Sequence, residues 1–295
     1  MDLSVEFHCG LNGSFGDPEV MVRAFTYYDY AIRPHTHEFY EMNIILSGSG
    51  IHHINQRSVS VKPGHVFVIP PGCVHSYVDT HQLNVAHVLI QPTFIRQYEG
   101  ELSQTSGYNL LMEIEPFLRY NSEQQLFLCL STQQLLQMQG ELLAIDEAAP
   151  TSYPASHCFI NHSTLRLICL LSHWLEQQTN HRTAKITSDK EQSILLALDY
   201  IHKNYAHTVT TEMLCKQTYM SRSTFLRAFQ TVCGCTPGQY LHMYRTRRAK
   251  ELLQSTTLKK TDIAHRCGFY DLSHMERALS RNIFQSHAPD PDCQL

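Results

Sequence analysis

Residues 264–279 read Ala264-His265-Arg266-Cys267-Gly268-Phe269-Tyr270-Asp271-Leu272-Ser273-His274-Met275-Glu276-Arg277-Ala278-Leu279. This pattern is typical of a short helix, a turn that contains glycine and a second helix, which together make a helix-turn-helix unit. A related run lies fifty residues upstream, where Ser223-Thr224-Phe225-Leu226-Arg227-Ala228-Phe229 matches the residues from Ser273 to Leu279, with Ser, Arg and Ala identical. Two such units in one chain predict a protein that binds double-stranded DNA.

The distribution of charge supports this interpretation independently. Residues 190–295 carry 14 Lys and Arg against 9 Asp and Glu, whereas residues 1–189 carry 9 against 18. A net charge of -4 therefore conceals an acidic half and a basic half. Because contacts to phosphate supply much of the affinity for DNA, a basic C-terminal domain suits the function.

Capping signals place the helices around the upstream unit. Thr210 is placed to cap one helix, Ser221 to start the next, and Gly234 to follow its end. The run from Thr236 to Gln239 combines an N-cap, a proline at the first helical position and a capping-box glutamine. It predicts a long helix to about Ser255 that joins the two units and leaves Arg245, Arg247, Arg248 and Lys250 available to solvent or phosphate.

The N-terminal part of the chain follows a different pattern. Residues 20–95 show short runs rich in Val, Ile, Tyr and Phe between glycine and proline turns, which predicts a small β-barrel or sandwich. Two longer helical patterns follow, at 123–147, with Leu128, Leu135 and Leu142 seven apart, and at 160–178. These helices either form a dimer seam or cover the barrel. We expect a barrel over 1–100, a helical segment over 101–178, a linker over 179–189 and a DNA-binding domain over 190–295.

Composition excludes some classes of protein. The chain of 295 residues begins without a signal-peptide pattern and has no run of eighteen apolar residues, so we expect a cytoplasmic protein with no membrane partner. Its ten cysteines include no CxxC pair, and we expect reduced thiols that are mostly buried.

The C-terminal hundred residues resemble the DNA-binding domain of the AraC/XylS family of bacterial transcription regulators. The resemblance implies that two recognition helices enter successive major grooves on one face of DNA, and arginine in particular bonds guanine bidentately. The alternative for Arg227 and Arg277 is that either one pairs with a local carboxylate. The matching runs are residues 220–229, 234–241, 247–253 and 263–269, the last followed by Ser273 and His274. The positions that face bases or backbone by resemblance are Ser223, Thr224, Arg227, Ser273, His274 and Arg277.

The chain departs from the family at its end. Leu279 stands where the family has an aromatic residue, and residues 282–289 lack the family's glycine. A helix without this glycine must be capped in another way. We therefore expect the second helix-turn-helix unit to contribute less than the first.

A second motif lies in the predicted barrel. The spacings His35-x-His37-x3-Glu41-x6-Gly48 and Gly64-x5-Pro70-x-Gly72-x2-His75 fit the two sequence patterns of cupin barrels, with Asp79 where the second pattern ends in Asn. We expect positions 35, 37 and 41 to share one face of a strand, with His75 from a neighbouring strand. Three imidazoles and one carboxylate suit a divalent transition metal.

The same residues are also candidates for binding an organic effector. Sensor domains of the AraC/XylS family resemble cupins but commonly bind an organic molecule, often a sugar, without metal. Residues 34–52 are similar to the sensor domains of the regulators of rhamnose operons. His35, His37, Glu41 and His75 therefore either bind a polar effector such as rhamnose, hold a metal ion, or form a purely structural cluster.

Together these observations predict an α+β multidomain protein with a cupin-like β-barrel, a helical dimerisation segment and an all-α domain with two helix-turn-helix units. We expect a transcription activator rather than an enzyme, with DNA, RNA polymerase, a small effector and a second copy of itself as partners. No cofactor is expected beyond the metal considered above. The rival classes are a metal-dependent cupin enzyme or metal sensor fused to a DNA-binding domain, and a scaffold whose helix-turn-helix units bind protein.

Overall fold

The computed structural model describes residues 7–16, 20–55, 57–121, 127–147, 155–183 and 189–280. The chain divides into two compact units, residues 1–188 and 189–295, which we call the N-terminal unit and the C-terminal unit. The first is a sheet covered by helices and the second is helical. The expected α+β class, with a β-rich sensor part and an all-α part, is confirmed.

One sheet of eight strands organises the N-terminal unit. Its order is β1-β3-β7-β4-β6-β8, while β2 pairs with β7 and β5 pairs with β4. The long strands β4 and β7 run antiparallel along most of their length, with Glu41 opposite Leu89 and Asn43 opposite His87. The strands are β1 (Phe7–Cys9), β2 (Val22–Tyr27), β3 (Ile32–His37), β4 (Tyr40–Ile54), β5 (Arg57–Val61), β6 (His65–Ile69), β7 (His75–Ile90) and β8 (Leu128–Cys129).

The core of this unit lies against the two long strands. Its largest fully buried side chains include Phe67 and Tyr77, which belong to one cluster with Ile45, Leu83 and Val85. Residues 40–45 are buried at every position, so both faces of β4 are covered there. A strand buried on both faces holds its neighbours in a fixed register.

Helices follow and flank the sheet. A short π-helix at Leu110–Ile114 precedes α4, in which Arg119 Nε lies 2.9 Å from Glu115 Oε1 in a buried ion pair. The helices of this unit are α1 (Leu11–Phe15), α2 (Pro92–Leu102), α3 (Ser106–Asn109), α4 (Glu115–Asn121), α5 (Thr132–Glu147) and α6 (Ser156–Thr183).

Two expectations for this region need correction. The helix expected from residue 123 begins at Thr132, and Leu128 belongs to β8, where it pairs with Val66 of β6. The seven-residue spacing from Leu128 is therefore not helical, and residues 101–178 share a compact unit with the sheet. The expected linker also begins too early, because α6 continues to Thr183 and Thr179 is buried with its hydroxyl bonded to Leu175 O at 2.8 Å.

The described part of the C-terminal unit contains six helices, and the four capping features expected from the sequence are present. Thr210 accepts a hydrogen bond from Met213 N, Ser221 accepts one from Thr224 N, and Gly234 ends its helix in the left-handed conformation. Thr236 and Gln239 form the complete capping box. The helices are α7 (Asp189–Asn204), α8 (Thr211–Thr218), α9 (Arg222–Cys233), α10 (Pro237–Ser255), α11 (Lys260–Arg266) and α12 (Leu272–Ser280).

The cysteines differ from expectation in burial. Among the described residues nine are free thiols, but Cys233, Cys235 and Cys267 alone are buried, and Cys158 and Cys169 are exposed. Within the same residues, none of the helices is long and apolar enough to cross a membrane.

Candidate functional site

The first helix-turn-helix unit consists of α8 and α9. Phe225 and Phe229 of α9 are fully buried, which orients the helix and turns its other face outward. Ser223 and Arg227 lie exposed on that face, and Thr224 is half-buried next to the N-cap Ser221. The Arg227 guanidinium has no ion-pair or hydrogen-bond partner among the described residues, so the alternative of a local carboxylate is not met here.

The second unit consists of α11 and α12. Asp271 caps α12 by accepting a hydrogen bond from His274 N at 2.7 Å, and Ser273 is exposed. The exposed Arg277 donates from Nε to Ser273 O at 3.3 Å, and within the described residues no carboxylate contacts its side chain. The His274 ring is half-buried and packs edge-on against Phe269, with ring centroids 5.3 Å apart.

Leu279, which stands where the family has an aromatic residue, contributes to the core of the second unit. Leu279 packs against the cluster formed by Ile263, Cys267, Phe269 and Met275, so it fills the place expected for an aromatic residue. Residues 282–289, which lack the family's glycine, lie outside the described residues. Ser223, Thr224 and Arg227 share one helix, and Ser273, His274 and Arg277 share another.

The arginines of α10 are less available than expected. Arg245 donates to Tyr205 O at 2.8 Å and to His207 O at 2.7 Å, which fixes the loop before α8. Arg248 is buried and lies 2.5 Å from Glu251 Oε2. Arg247 lies over the Tyr244 ring at 5.1 Å. These side chains therefore hold the C-terminal unit together, and no sequence pattern distinguished them from free cations.

The histidines and glutamate of the second motif meet inside the N-terminal unit. His35 and His37 lie on β3, Glu41 on β4 and His75 on β7, so three strands contribute rather than the single strand expected for positions 35–41. A turn at residues 38 and 39 separates β3 from β4. All four side chains are buried.

Their nitrogen and oxygen atoms converge. His35, Glu41 and His75 each offer a ligand atom, and these atoms lie within 4.8 Å of one another. His37 is outside that set of three, but its Nε2 lies 3.2 Å from Glu41 Oε2, the same distance as His75 Nε2. The structure thus brings the three predicted histidines around the carboxylate of the fourth residue, Glu41.

Backbone contacts orient two of the imidazoles. Nδ1 of His37 lies 2.6 Å from Phe39 O, and Nδ1 of His35 lies 3.0 Å from Arg33 O. If Nδ1 carries the proton in each contact, Nε2 keeps its lone pair for a ligand, which is the arrangement found around metal-binding histidines.

Burial and the neighbouring charged groups together shift the pKa values of this cluster. Burial raises the pKa of Glu41, but the imidazoles of His75, His37 and His87 outweigh that effect and hold the pKa well below its usual range. Burial, with a smaller contribution from His75, lowers the pKa of His35 to about 4. Burial also lowers the pKa of His75. At neutral pH the cluster therefore holds an ionised carboxylate facing imidazoles of which at least His35 is neutral.

Several buried polar atoms in the cluster make no hydrogen bond within the described residues. His37 Nε2 and His75 Nε2 are two of them, since each lies at ion-pair distance from Glu41 Oε2 but not in hydrogen-bond geometry. The others are His87 Nε2, His52 Nδ1 and Asn43 Oδ1. Buried polar atoms in proteins nearly always have a partner, so a group of orphaned atoms indicates a bound ligand, ion or water. The N and O donor set fits a first-row transition metal and equally fits the hydroxyls of a polar organic molecule.

Sequence reasoning missed His87, His52 and Tyr77. His87 Nδ1 lies 2.5 Å from Glu41 Oε1, His52 Nε2 lies 3.5 Å from His75 Nδ1, and the His52 ring stacks on Tyr77. The even spacing of residues 75, 77 and 87 along β7 is the signal that places them on one face.

Comparison with known proteins assigns a family to a part of each unit. Residues 17–149 match the family described as an AraC-like ligand binding domain, and residues 214–285 match a helix-turn-helix domain. The chain is 27% identical over 257 residues to the HTH-type transcriptional activator RhaS of Yersinia pestis bv. Antiqua, covering 87% of this chain and 88% of that protein. It is 28% identical over 257 residues to RhaS of Salmonella schwarzengrund, covering 86% and 85%. Among solved structures, ToxT of Vibrio cholerae has a TM-score of 0.34 at 13% identity, covering 88% of this chain and 94% of that one.

Proposed function

Since the chain belongs to the AraC/XylS family of DNA-binding transcription regulators, we propose that it is an activator whose N-terminal unit binds a small polar effector at the histidine and glutamate cluster. The proposal includes a homodimer that recruits RNA polymerase, and its DNA target places its action in the cytoplasm. The observation that carries the effector site is the set of buried, orphaned nitrogen atoms around Glu41.

We assign base or backbone contacts to Ser223, Thr224 and Arg227 in α9 and to Ser273, His274 and Arg277 in α12. The assignment is supported by the exposure of both arginines at equivalent positions of the two units. It is also supported by the finding that neither arginine contacts a carboxylate in the part of the chain that the structure describes. Guanidinium groups in such positions bond guanine bidentately in the major groove.

In this proposal the hydroxyl groups of the effector form hydrogen bonds with the buried polar atoms of His37, His75 and Asn43 that make none within the described residues. A sugar such as rhamnose has this chemistry, and the curated relatives named above are activators. The bound effector stabilises one conformer of the N-terminal unit and so shifts the population of dimers able to span two half-sites.

The test uses the full-length protein and an operator selected from random duplex DNA. Its affinity is measured by fluorescence anisotropy with and without L-rhamnose and a panel of hexoses and pentoses. We expect one sugar to raise both the affinity and the melting temperature. Single changes of His37, Glu41 and His75 to Ala should abolish that response while leaving the basal affinity for DNA unchanged. A sugar response that survives all three changes contradicts the site.

A second candidate ligand is a divalent transition metal at the same cluster. It is favoured by the convergence of ligand atoms from His35, Glu41 and His75 within 4.8 Å, with His37 beside the carboxylate. A metal held by these four residues would supply a Lewis-acidic anchor for oxygen atoms of an effector. The protein's residues would supply the neutral imidazoles and the single negative charge that the ion needs.

Elemental analysis separates the two candidates. If the cluster holds metal, changing His35, His37, Glu41 or His75 singly to Ala should sharply lower the metal content of the purified protein. If it holds an organic effector, wild-type protein contains no stoichiometric metal and the same changes weaken induction. Stoichiometric metal that survives all four changes excludes a metal at this cluster.

A further inference from the structure

Helix α6 carries two cysteine and histidine pairs on its exposed face. Cys158 and His162 are four residues apart, as are Cys169 and His173, and all four side chains are exposed. With 3.6 residues per turn, the four positions fall within about 60° around the helix axis. They form one stripe, which we call the α6 stripe.

The first pair is already in contact. Cys158 Sγ lies 3.5 Å from His162 Nδ1, and the same nitrogen lies 2.7 Å from Cys158 O. If Nδ1 donates to that carbonyl, Nε2 keeps a free lone pair facing outward. A thiol and an imidazole one helical turn apart are two of the four ligands of a tetrahedral zinc site.

One helix cannot complete such a site. Cys158 and Cys169 are eleven residues apart, which corresponds to about 16 Å along the axis. Zinc ligands lie about 2.0–2.3 Å from the ion, so the two pairs cannot share an ion within one chain. Each pair is half of a Cys2His2 set, and a second copy of α6 is the source of the other half.

The α6 stripe is complementary to a second copy of itself that runs in the opposite direction. Cys158 and His173 are equidistant from the midpoint between Leu165 and Arg166, and so are His162 and Cys169. In an antiparallel pair of α6 helices related by a two-fold axis at that midpoint, Cys158 and His162 lie opposite the second copy's Cys169 and His173. The symmetry produces two identical sites, each with two thiols and two imidazoles.

Charge favours the antiparallel over the parallel pairing. A parallel pair would place the Arg166 side chain directly opposite its copy and align the helix dipoles. In the antiparallel pair Arg166 faces Leu165 of the second copy and not another arginine. Phe159, which follows Cys158 on α6, is an exposed apolar side chain beside the stripe.

We propose that two copies of this chain pair antiparallel through α6 and are bridged by two zinc ions. Each ion is held by Cys158 and His162 of one copy and by Cys169 and His173 of the other, and its binding releases the two thiol protons. The proposal deepens the homodimer of the proposed function, and it is independent of the cluster around Glu41.

The first experiment measures assembly and ligand type on the reduced, metal-free, full-length protein. We expect zinc to convert monomer to dimer in sedimentation velocity, and a chelator to reverse the change. Cobalt in place of zinc should produce a thiolate-to-cobalt charge-transfer band with tetrahedral visible bands. The cluster around Glu41 contains no cysteine, so cobalt bound there does not contribute the thiolate band. A protein that stays monomeric with zinc, or that shows no thiolate band, overturns the proposal.

The second experiment is a complementation test. The double variants Cys158→Ser/His162→Asn and Cys169→Ser/His173→Asn should each lose zinc-dependent dimerisation. An equal mixture should regain it with one bridging ion per mixed dimer, because one complete site remains. His157→Asn and Cys129→Ser are matched controls, and both should dimerise as wild type does. Zinc-dependent dimers of either double variant alone overturn the antiparallel arrangement. Dimers that form fully without zinc overturn the bridge while leaving the proposed homodimer intact.

Discussion

His87 Nδ1 lies 2.5 Å from Glu41 Oε1, although the two residues are diagonal rather than direct neighbours across strands β7 and β4. The other carboxylate oxygen lies 3.2 Å from both His37 Nε2 and His75 Nε2. Phe25 and Tyr30 pack against the His87 ring, with centroids 5.4 and 4.7 Å away. His87 is thus held in place by its neighbours and orients the carboxylate toward the other imidazoles.

Replacing His87 by Leu should destabilise the N-terminal unit. The change leaves a buried carboxylate oxygen without its donor, which costs on the order of 3 kcal/mol. Urea unfolding followed by the fluorescence of Trp174 measures the effect, because the chain's single tryptophan lies in α6 of this unit. His53→Leu on the partly exposed side of β4 is the matched control and should change stability by less than about 1 kcal/mol. Equal effects of the two changes would contradict the role of His87.

The stability of the N-terminal unit should fall as the pH is lowered from about 7 to 4. Burial lowers the pKa of His35 to about 4 and also lowers the pKa of His75, so both bind fewer protons in the folded than in the unfolded state. The pKa of Glu41 is likewise lower than in the unfolded chain. All three groups therefore contribute stability that is present at neutral pH and is lost as the pH falls toward their folded pKa values.

Urea unfolding at several pH values, with a chelator present, checks this dependence. His35→Gln removes one titrating group and should flatten the pH profile of the Trp174 signal between pH 6.5 and 4. A profile of unchanged slope would show that His35 titrates alike in both states. His207→Gln in the C-terminal unit is the control, because it lies exposed in the other unit.

The sequence predicted features that depend on neighbours along the chain. The capping box of Thr236 and Gln239 and the caps at Thr210 and Ser221 are local hydrogen bonds, so three or four residues suffice to recognise them. The cupin spacing likewise identified four residues that the fold brings together. The even spacing along β7 indicates the face on which His87 lies, but its position beside Glu41 depends on the register of β7 on β4. The assignment of Leu128 to a strand likewise depends on its pairing with Val66, and local patterns contain neither pairing. The partners of Arg245 and Arg248 depend on packing between helices and were missed for the same reason.

Gly268→Ala should destabilise the C-terminal unit. Gly268 has a φ of +74°, and an added Cβ would lie 2.6 Å from Tyr205 O, a backbone atom that Arg245 holds. Strain of this kind costs about 1–3 kcal/mol. Gly238→Ala is the matched control, since its Cβ would meet nothing within 4 Å at the start of α10, and it should be neutral or slightly stabilising. Thermal unfolding by circular dichroism compares the two; a smaller loss for Gly268→Ala would contradict the close contact.

The two helix-turn-helix units are expected to contribute unequally to sequence-specific DNA binding. Arg227 is exposed, has no partner within the described residues and lies on a helix anchored by Phe225 and Phe229. Arg277 donates from Nε to Ser273 O, and this intrahelical hydrogen bond competes with a hydrogen bond from the same guanidinium to a base. Arg227→Ala should therefore cost about 1–3 kcal/mol of specific binding, the range of a bidentate base contact, and Arg277→Ala should cost less.

Fluorescence anisotropy titrations test whether Arg227→Ala loses more specific binding than Arg277→Ala. They use the selected operator and versions of it mutated in each half. Arg227→Ala should lose discrimination at one half of the site, because a base contact carries sequence information whereas a phosphate contact weakens binding to all sequences alike. Gln230→Ala, exposed further along α9, is the control and should bind as wild type does. If Arg277→Ala loses as much affinity as Arg227→Ala, or more, then the second unit reads DNA as strongly as the first. Leu279 would then serve the packing of α12 as well as the aromatic residue of the family does.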